Sequence, residues 1–176
     1  MADVKETMEH SAAANAAAHA GKYLTFSLGR EVYGLAILKV QEIIGMMRVA
    51  SIPKTPEFVR GVINLRGKVI PILDLRLKFG MGHVDDTART CIIVVRVAYA
   101  GPEMTMGVVV DEVAEVLDIA AEQIEPPPSL GVSFDDAILL GMGKVGEKVV
   151  MLLNVDKVLA SDEIATMRHM VAEPGQ

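Results

Sequence analysis

From Lys22 onward the apolar residues come in short stretches separated by turn formers, and few stretches continue long enough for a helix. Leu24, Phe26 and Leu28 alternate with Thr25 and Ser27. Successive strand residues point to opposite sides, so this alternation puts the three large side chains on one face of a strand. Four further runs, Val69 to Leu75, Cys91 to Val97, Met106 to Val110 and Val149 to Val155, are rich in β-branched residues and bounded by Gly, Pro or charge, and each predicts a strand. On the same reading Asp74 and Arg76, two apart, share a strand face as a surface pair reaching a neighbouring strand. Helix signals are sparse. Thr55 is an N-cap type followed by Pro56 at the first helical position, with Phe58, Val59 and then Gly61 as a stop. Asp135, Ile138, Leu139 and Gly141 repeat that signal, so each of two segments is expected to carry one short helix ahead of a β-hairpin. Residues 1–21, small, polar and alanine-rich, read as a flexible tail with no assigned function.

Comparing the chain with itself reveals a duplication. Gly34-Leu35-Ala36-Ile37 and Val40-Gln41-Glu42-Ile43-Ile44 align with Gly107-Val108-Val109-Val110 and Val113-Ala114-Glu115-Val116-Leu117. Gly61, Lys68-Val69-Ile70 and Ile72-Leu73-Asp74-Leu75 align with Gly141, Lys148-Val149-Val150 and Leu152-Leu153-Asn154-Val155. The second copy is longer in the middle, and the copies join near Gly80 to Ala88. Two similar small barrels or sheets of about five strands each are therefore expected. Residues alike in both copies, such as Glu42 with Glu115 and Asp74 with Asn154, are expected to serve the fold of each unit. Residues that differ are freer to carry a task. Asn64-Leu65-Arg66-Gly67 stands opposite Lys144-Val145-Gly146-Glu147, and Arg66 has no cationic counterpart.

Composition narrows the class. The chain has 176 residues, 51% of them hydrophobic and 23% charged, which fits a globular domain, and with 4% aromatic residues and no Trp its core must be aliphatic. A net charge of −6 argues against a nucleic-acid backbone or an anionic membrane as the main partner and leaves proteins as the expected ones. Cys91 has no second thiol to pair with, which suits a reducing compartment. The acidic start lacks the basic region of a secretory signal, and no segment approaches ~18 uninterrupted apolar residues. The expected location is the cytoplasm, with no direct membrane insertion.

Catalytic and cofactor chemistry finds little support. Gly141-Met142-Gly143-Lys144-Val145-Gly146 matches G-x-G-x-x-G, but a strand pattern follows it where a dinucleotide site needs a helix, so it reads as a hairpin turn. Glu147 follows where a phosphate loop needs Lys and a hydroxyl residue. His10, His19, His83 and His169 show no metal or triad spacing, and His83 with Asp85 and Asp86 reads as a solvated acidic linker. Cys91 reads as a small strand hydrophobe, Pro126-Pro127-Pro128 as a rigid connector, and Met46-Met47 as the methionines expected at a contact surface. No catalytic residue, metal site or cofactor is assigned.

The segment PEFVRGVINLRGKVIPILDLR, from Pro56 to Arg76, resembles the CheW-like family of bacterial chemotaxis coupling proteins. The likeness runs from Lys22 to about Ile164 through YGLAILKVQEII, the NLRG turn, the DLR end, GVVVDEV and GKVGEKVVMLLNVDKVL. It implies a mostly β fold of two five-stranded SH3-like barrels around a shared hydrophobic core, with short helices and a C-terminal helix. The corresponding boundaries are a domain over 22–165, its units at about 22–85 and 86–160 with strands free to exchange, and a C-terminal helix and tail over 161–176. It also implies a non-enzymatic adaptor, monomeric in isolation, that binds the cytoplasmic tip of methyl-accepting chemotaxis receptors and the regulatory domain of the histidine kinase CheA. A detached regulatory domain of such a kinase, a hybrid coupling protein or, further off, a small-ligand barrel are the alternatives. Carried over by motif, the receptor-facing residues are Val40, Glu42, Gly61 and Arg66; kinase-facing residues are not assigned. Arg66 suits the role because a planar guanidinium donates several hydrogen bonds to carboxylates or carbonyls, Val40 supplies apolar contact, and Gly61 permits a close backbone approach.

Overall fold

The computed structural model describes residues 17–98, 102–126 and 138–159. Eleven strands are described: β1 (Gly21–Leu28), β2 (Glu31–Ala36), β3 (Val40–Gly45), β4 (Val59–Leu65), β5 (Lys68–Asp74), β6 (Cys91–Val97), β7 (Met104–Val110), β8 (Glu112–Ile119), β9 (Ile124–Glu125), β10 (Leu139–Val145) and β11 (Lys148–Leu153). Two one-turn helices follow the hairpins, α1 (Leu75–Lys78) after β5 and α2 (Val155–Val158) after β11. The chain is mostly β, as its pattern predicts.

The strands form two mixed sheets, one ordered β8-β1-β2-β11-β10-β9 and the other β3-β6-β7-β5-β4. Both orders follow from the duplication. Matching β1 to β6, β2 to β7, β3 to β8, β4 to β10 and β5 to β11 turns the five-stranded order into the first five strands of the six-stranded one. Each sheet therefore takes strands from both copies. The register repeats as well: parallel β5 and β7 set Ile72 opposite Gly107, and parallel β11 and β2 set Leu152 opposite Gly34. Glycine makes room at both places, more tightly at Gly107. A Cβ on Gly107 would lie 2.5 Å from Ile72 Cδ1, and one on Gly34 would lie 3.3 Å from a Leu152 methyl.

Burial explains why the inner strands read as continuous apolar runs and not as alternations. The sheets enclose a shared core, and each also covers a smaller one on its other face. Along β6, Ile93, Val95 and Val97 enter the shared core while Ile92 and Val94 enter the core of the five-stranded sheet. Tyr23 on β1 joins the third core while Leu24, Phe26 and Leu28 join the shared one. A strand covered on both faces has no reason to alternate. Thr25, on the face of β1 opposite Leu24 and Phe26, is covered for the same reason. Thr25 is buried, and its hydroxyl donates to Glu115 O at 2.7 Å and accepts from Glu115 N–H at 3.1 Å, filling the register shift between β1 and β8.

The helices lie elsewhere than the capping signals suggest. Pro56 to Phe58 form a turn closed by Val59 N–H to Pro56 O, the Thr55 hydroxyl donates to Ile52 O, and Val59 already pairs with Leu73. Between Thr55 and Gly61 there is too little chain to repay helix nucleation, and β-branched Val59 suits the strand. In the second copy Leu139 and Gly141 lie inside β10, and Asp135 falls outside the described residues. The helices instead begin where Asp74 and Asn154 act as N-caps, accepting from Leu77 N–H and Lys157 N–H. Asp74 and Arg76 consequently share no strand face. Asp74 is 4% exposed and holds Arg60, while Arg76 reaches Asp111. The expected C-terminal helix over 161–176 lies outside the described residues.

Candidate functional site

The four residues singled out for partner binding fall on one sheet. β3 carries Val40 and Glu42, β4 carries Gly61, and Arg66 occupies the two-residue turn between β4 and β5. The sheet order places β3 and β4 at opposite edges, yet the chain brings them near one another. Beyond β3, Ala50 and Val62 exchange two backbone hydrogen bonds of 2.9 Å each. Arg66 Nη2 then donates to Glu42 Oε1, forming a salt bridge from the β4–β5 turn to β3. Below it lies the sheet's own core of Ile63, Ile70, Ile72, Ile92, Val94 and Val109, with Ile44, Met46 and Leu65 packed against it.

The turn conformation comes from its sequence. Leu65 pairs with Lys68, so only Arg66 and Gly67 turn the chain, with φ of 53° and 85°. Positive φ at both central residues gives one of the two hairpin turns whose twist matches that of the strands. Asn64 Oδ1 accepts from Gly67 N–H at 2.8 Å and fastens the turn. For Gly67 this conformation is free of steric cost, whereas a residue with a Cβ pays about 1–2 kcal/mol. Arg66 is thus held in a backbone state unfavourable to it, with its side chain 68% exposed beside a Glu42 side chain 26% exposed.

Gly61 plays a different physical part. It is buried, has φ of 138°, and a Cβ built on it would lie 2.0 Å from Ala50 O. It permits the backbone approach expected of it, between β4 and the segment that follows β3. Val40 is half-buried and packs against the shared core, opposite Val95. The structure thus brings Glu42 and Arg66 into direct contact, sets Val40 two residues away on the same strand, and buries Gly61 beside the Ala50–Val62 bridge.

The comparison of copies argues for a structural Glu42 because Glu115 matches it, but the two residues make different contacts. Glu115 serves its unit through its backbone, which bonds Thr25, whereas the Glu42 carboxylate bonds Arg66, a residue the second copy lacks. Sequence reasoning missed Asn64 as the turn's fastener, the exposed Ile43 next to Glu42 on β3, and the exposed Val69 paired with Asn64 across the hairpin. The repeat offered a signal, since their counterparts Val116 and Val149 are exposed too. Of the two methionines expected at a surface, Met46 packs inward and only Met47 is exposed.

Other flagged chemistry resolves into structure. The G-x-G-x-x-G stretch is the β10–β11 hairpin. Asp86 accepts two hydrogen bonds from Arg60, and that guanidinium holds its carboxyl below the usual carboxylate range. His83 lies 3.4 Å from a fully exposed Asp85. Cys91 is half-buried on β6, and burial pushes its thiol up. Among the described residues there is no group of three or more His, Cys, Asp or Glu that could hold a metal ion, and no helix long and apolar enough to cross a membrane.

Comparison with known proteins places this geometry in context. Residues 22–163 match the family model described as CheW-like domain. The chain is 43% identical over 149 residues to the chemotaxis protein CheW of Klebsiella aerogenes, covering 85% of this chain and 87% of that one. It is 33% identical over 141 residues to the chemotaxis protein CheW of Helicobacter pylori, covering 80% and 82%. Among solved structures it is similar to the scaffolding protein TtCheW from Thermoanaerobacter tengcongensis, with a TM-score of 0.72 and 36% identity, covering 82% of this chain and 95% of that one.

Proposed function

The chain belongs to the CheW-like family and is a non-enzymatic adaptor that couples chemoreceptors to the kinase CheA; from that premise we propose that the Arg66 turn and its Glu42 partner form its receptor-binding element. The observation that carries this reading is the strain at Arg66. A side chain kept at positive φ, exposed, and replaced by glycine at the matching position of the second hairpin has a use beyond the fold. Glu42 pre-orders the guanidinium, which lowers the side-chain entropy lost when a receptor carbonyl or carboxylate replaces solvent around its free N–H groups. Exposed Ile43, beside Glu42, supplies apolar contact for a helical hairpin. Val40 and Gly61 act from behind, Val40 by seating β3 on the shared core and Gly61 by fixing the distance between β4 and the chain after β3.

In this reading each sheet is one SH3-like barrel of five principal strands. The Ala50–Val62 bridge, which brings the segment after β3 to β4, and the pairing of the short β9 with β10 support this reading. The units run over about 22–85 and 86–160 with strands exchanged between them, and the protein works in the cytoplasm as a monomer recruited into a receptor array. The kinase partner is met through its regulatory domain and the receptor through its cytoplasmic tip.

Reconstitution tests the assignment. Purified chain, receptor fragments and CheA are combined and kinase autophosphorylation is followed. Wild-type protein should make autophosphorylation respond to receptor. Arg66→Gly should abolish that response while retaining the wild-type circular dichroism spectrum and kinase binding. Full coupling by a folded Arg66→Gly protein would remove Arg66 from the site.

A further inference from the structure

The two copies are joined at two places that the repeat relates but that carry opposite charges. At one joint Asp111, between β7 and β8, accepts from Gly29 N–H at 2.8 Å and from Arg76 Nη1 on α1 at 2.6 Å. At the other, Asp156 on α2 accepts from Ala98 N–H at 2.8 Å and from Lys39 Nζ, just ahead of β3, at 2.8 Å. Gly29 follows β1 as Ala98 follows its counterpart β6. The alignment of copies sets Arg76 over Asp156, Leu38 over Asp111 and Lys39 over Glu112. The helix after the hairpin therefore brings a cation in the first copy and an anion in the second, and the strand junction facing it carries the opposite sign each time.

Backbone pairing does not distinguish the copies. Ile72 against Gly107 and Leu152 against Gly34 use the same register, and glycine makes room for a branched aliphatic residue in both. We propose that the charge reversal is what pairs the first copy with the second, and prevents each from pairing with its own kind in another molecule of this chain. In a pairing of first copies, Arg76 would face Leu38 and Lys39 in place of Asp111 and Glu112. In a pairing of second copies, Asp156 would face Asp111 and Glu112. Either arrangement sets like charges together at a partly buried joint, where the Arg76 and Asp156 side chains are 16% and 23% exposed and those of Asp111 and Lys39 32% and 36%. Arg76 Nε is moreover buried without a hydrogen-bond partner among the described residues, so loss of the Asp111 contact leaves a guanidinium poorly satisfied.

Three variants of the full chain test this. Exchanging the helix charges, Arg76→Asp with Asp156→Arg, makes both native joints repulsive and both like-with-like joints attractive. Its dimer association constant should rise about tenfold or more over wild type in sedimentation equilibrium, the change a 1.4 kcal/mol preference produces. Arg76→Asp alone should lower the urea midpoint. Arg76→Asp with Asp111→Arg restores opposite charges across the native joint and should recover part of that loss, the Gly29 N–H remaining unmet; because it leaves both helices anionic and both junctions cationic, its association constant should lie between those of wild type and the charge-exchange variant. A folded charge-exchange variant with the association constant of wild type overturns the proposal. So does a restored pair no more stable than Arg76→Asp alone, and this second comparison decides the matter if the charge-exchange variant does not fold.

Discussion

The β4–β5 and β10–β11 hairpins descend from one repeated pattern and solve the same backbone problem with different residues. Both need left-handed φ at the first turn position, and the second supplies it with Gly146 at 62° while the first uses Arg66 at 53°. Both sit under a glycine that lets another segment approach, Gly61 beneath Ala50 and Gly141 beneath Glu125. The second hairpin shows what the fold requires, and whatever the first carries beyond that is surplus to folding. By this subtraction the proposed receptor-binding role falls to Arg66 and its Glu42 contact, while Gly61 belongs to architecture first.

The largest effect should come from the paired glycines. Gly61→Ala places a methyl 2.0 Å from Ala50 O at φ 138°, where neither backbone can easily yield. We expect a loss of roughly 3 kcal/mol or more in urea unfolding, from strain and the broken Ala50–Val62 bridge together. Gly141→Ala meets Glu125 O at 2.8 Å and lies outside the positive-φ region, so about 1–2 kcal/mol is expected. Equal losses would mean that the two pairings bear the same strain. Hydrogen exchange localises the damage: Val62 N–H should lose protection in Gly61→Ala and keep it in Gly141→Ala.

Next come the caps. Asp74→Ala removes the acceptor for Leu77 N–H and a buried carboxylate that holds Arg60 Nε at 3.2 Å, for an expected cost of about 2–3 kcal/mol. Asn154→Ala removes only the cap to Lys157 N–H and should cost about 1 kcal/mol. Thermal unfolding of both variants beside wild type measures the difference. A larger loss at Asn154 would show that Arg60 contributes nothing to the first unit.

How far the chain's sequence foretold this architecture is clearest at the same positions. Duplication, strand content and the hairpins were legible because they rest on local periodicity and on self-similarity. Asp74 with Asn154 was recognisable as scaffold from likeness alone, but the helices they cap were not, because four residues leave no period to read. Thr55-Pro56 carried the better capping signal and formed a turn, since pairing of Val59 with Leu73 prevailed over local preference. Arg66 was legible as an asymmetry between copies. Its contact with Glu42 was not, since 23 residues and two sheet edges intervene, and likeness to Glu115 pointed the other way.

A smaller stability change is expected at the functional turn. Arg66→Gly relieves the positive φ and loses an ion pair that is largely solvent-exposed, so the two contributions act in opposite directions and the net change should stay within about 1 kcal/mol. Gly146→Arg imposes the strain without a partner of the Glu42 kind and should lose about 1 kcal/mol. Denaturant titration of the two reciprocal variants checks the subtraction. A destabilisation in Arg66→Gly exceeding that in Gly146→Arg would return Arg66 to the scaffold.

The smallest difference should appear on acidification. In the first unit Arg60 bridges Asp74 and Asp86, whereas Leu140 stands at the matching place in the second and Asn154 replaces the titratable cap. Asp86 is held below its ordinary range chiefly by the Arg60 hydrogen bond, so it binds a proton less readily folded than unfolded. Its contribution is therefore complete above the ordinary carboxylate range and is lost as pH falls through the depressed value. Exposure keeps that contribution small. Hydrogen exchange followed from neutral pH into the acid range should show α1 amides losing protection before those of α2, and Asp86→Asn should narrow the gap. Simultaneous loss in both helices would mean that acid acts on the shared core and not on the Arg60 bridge that only one copy possesses.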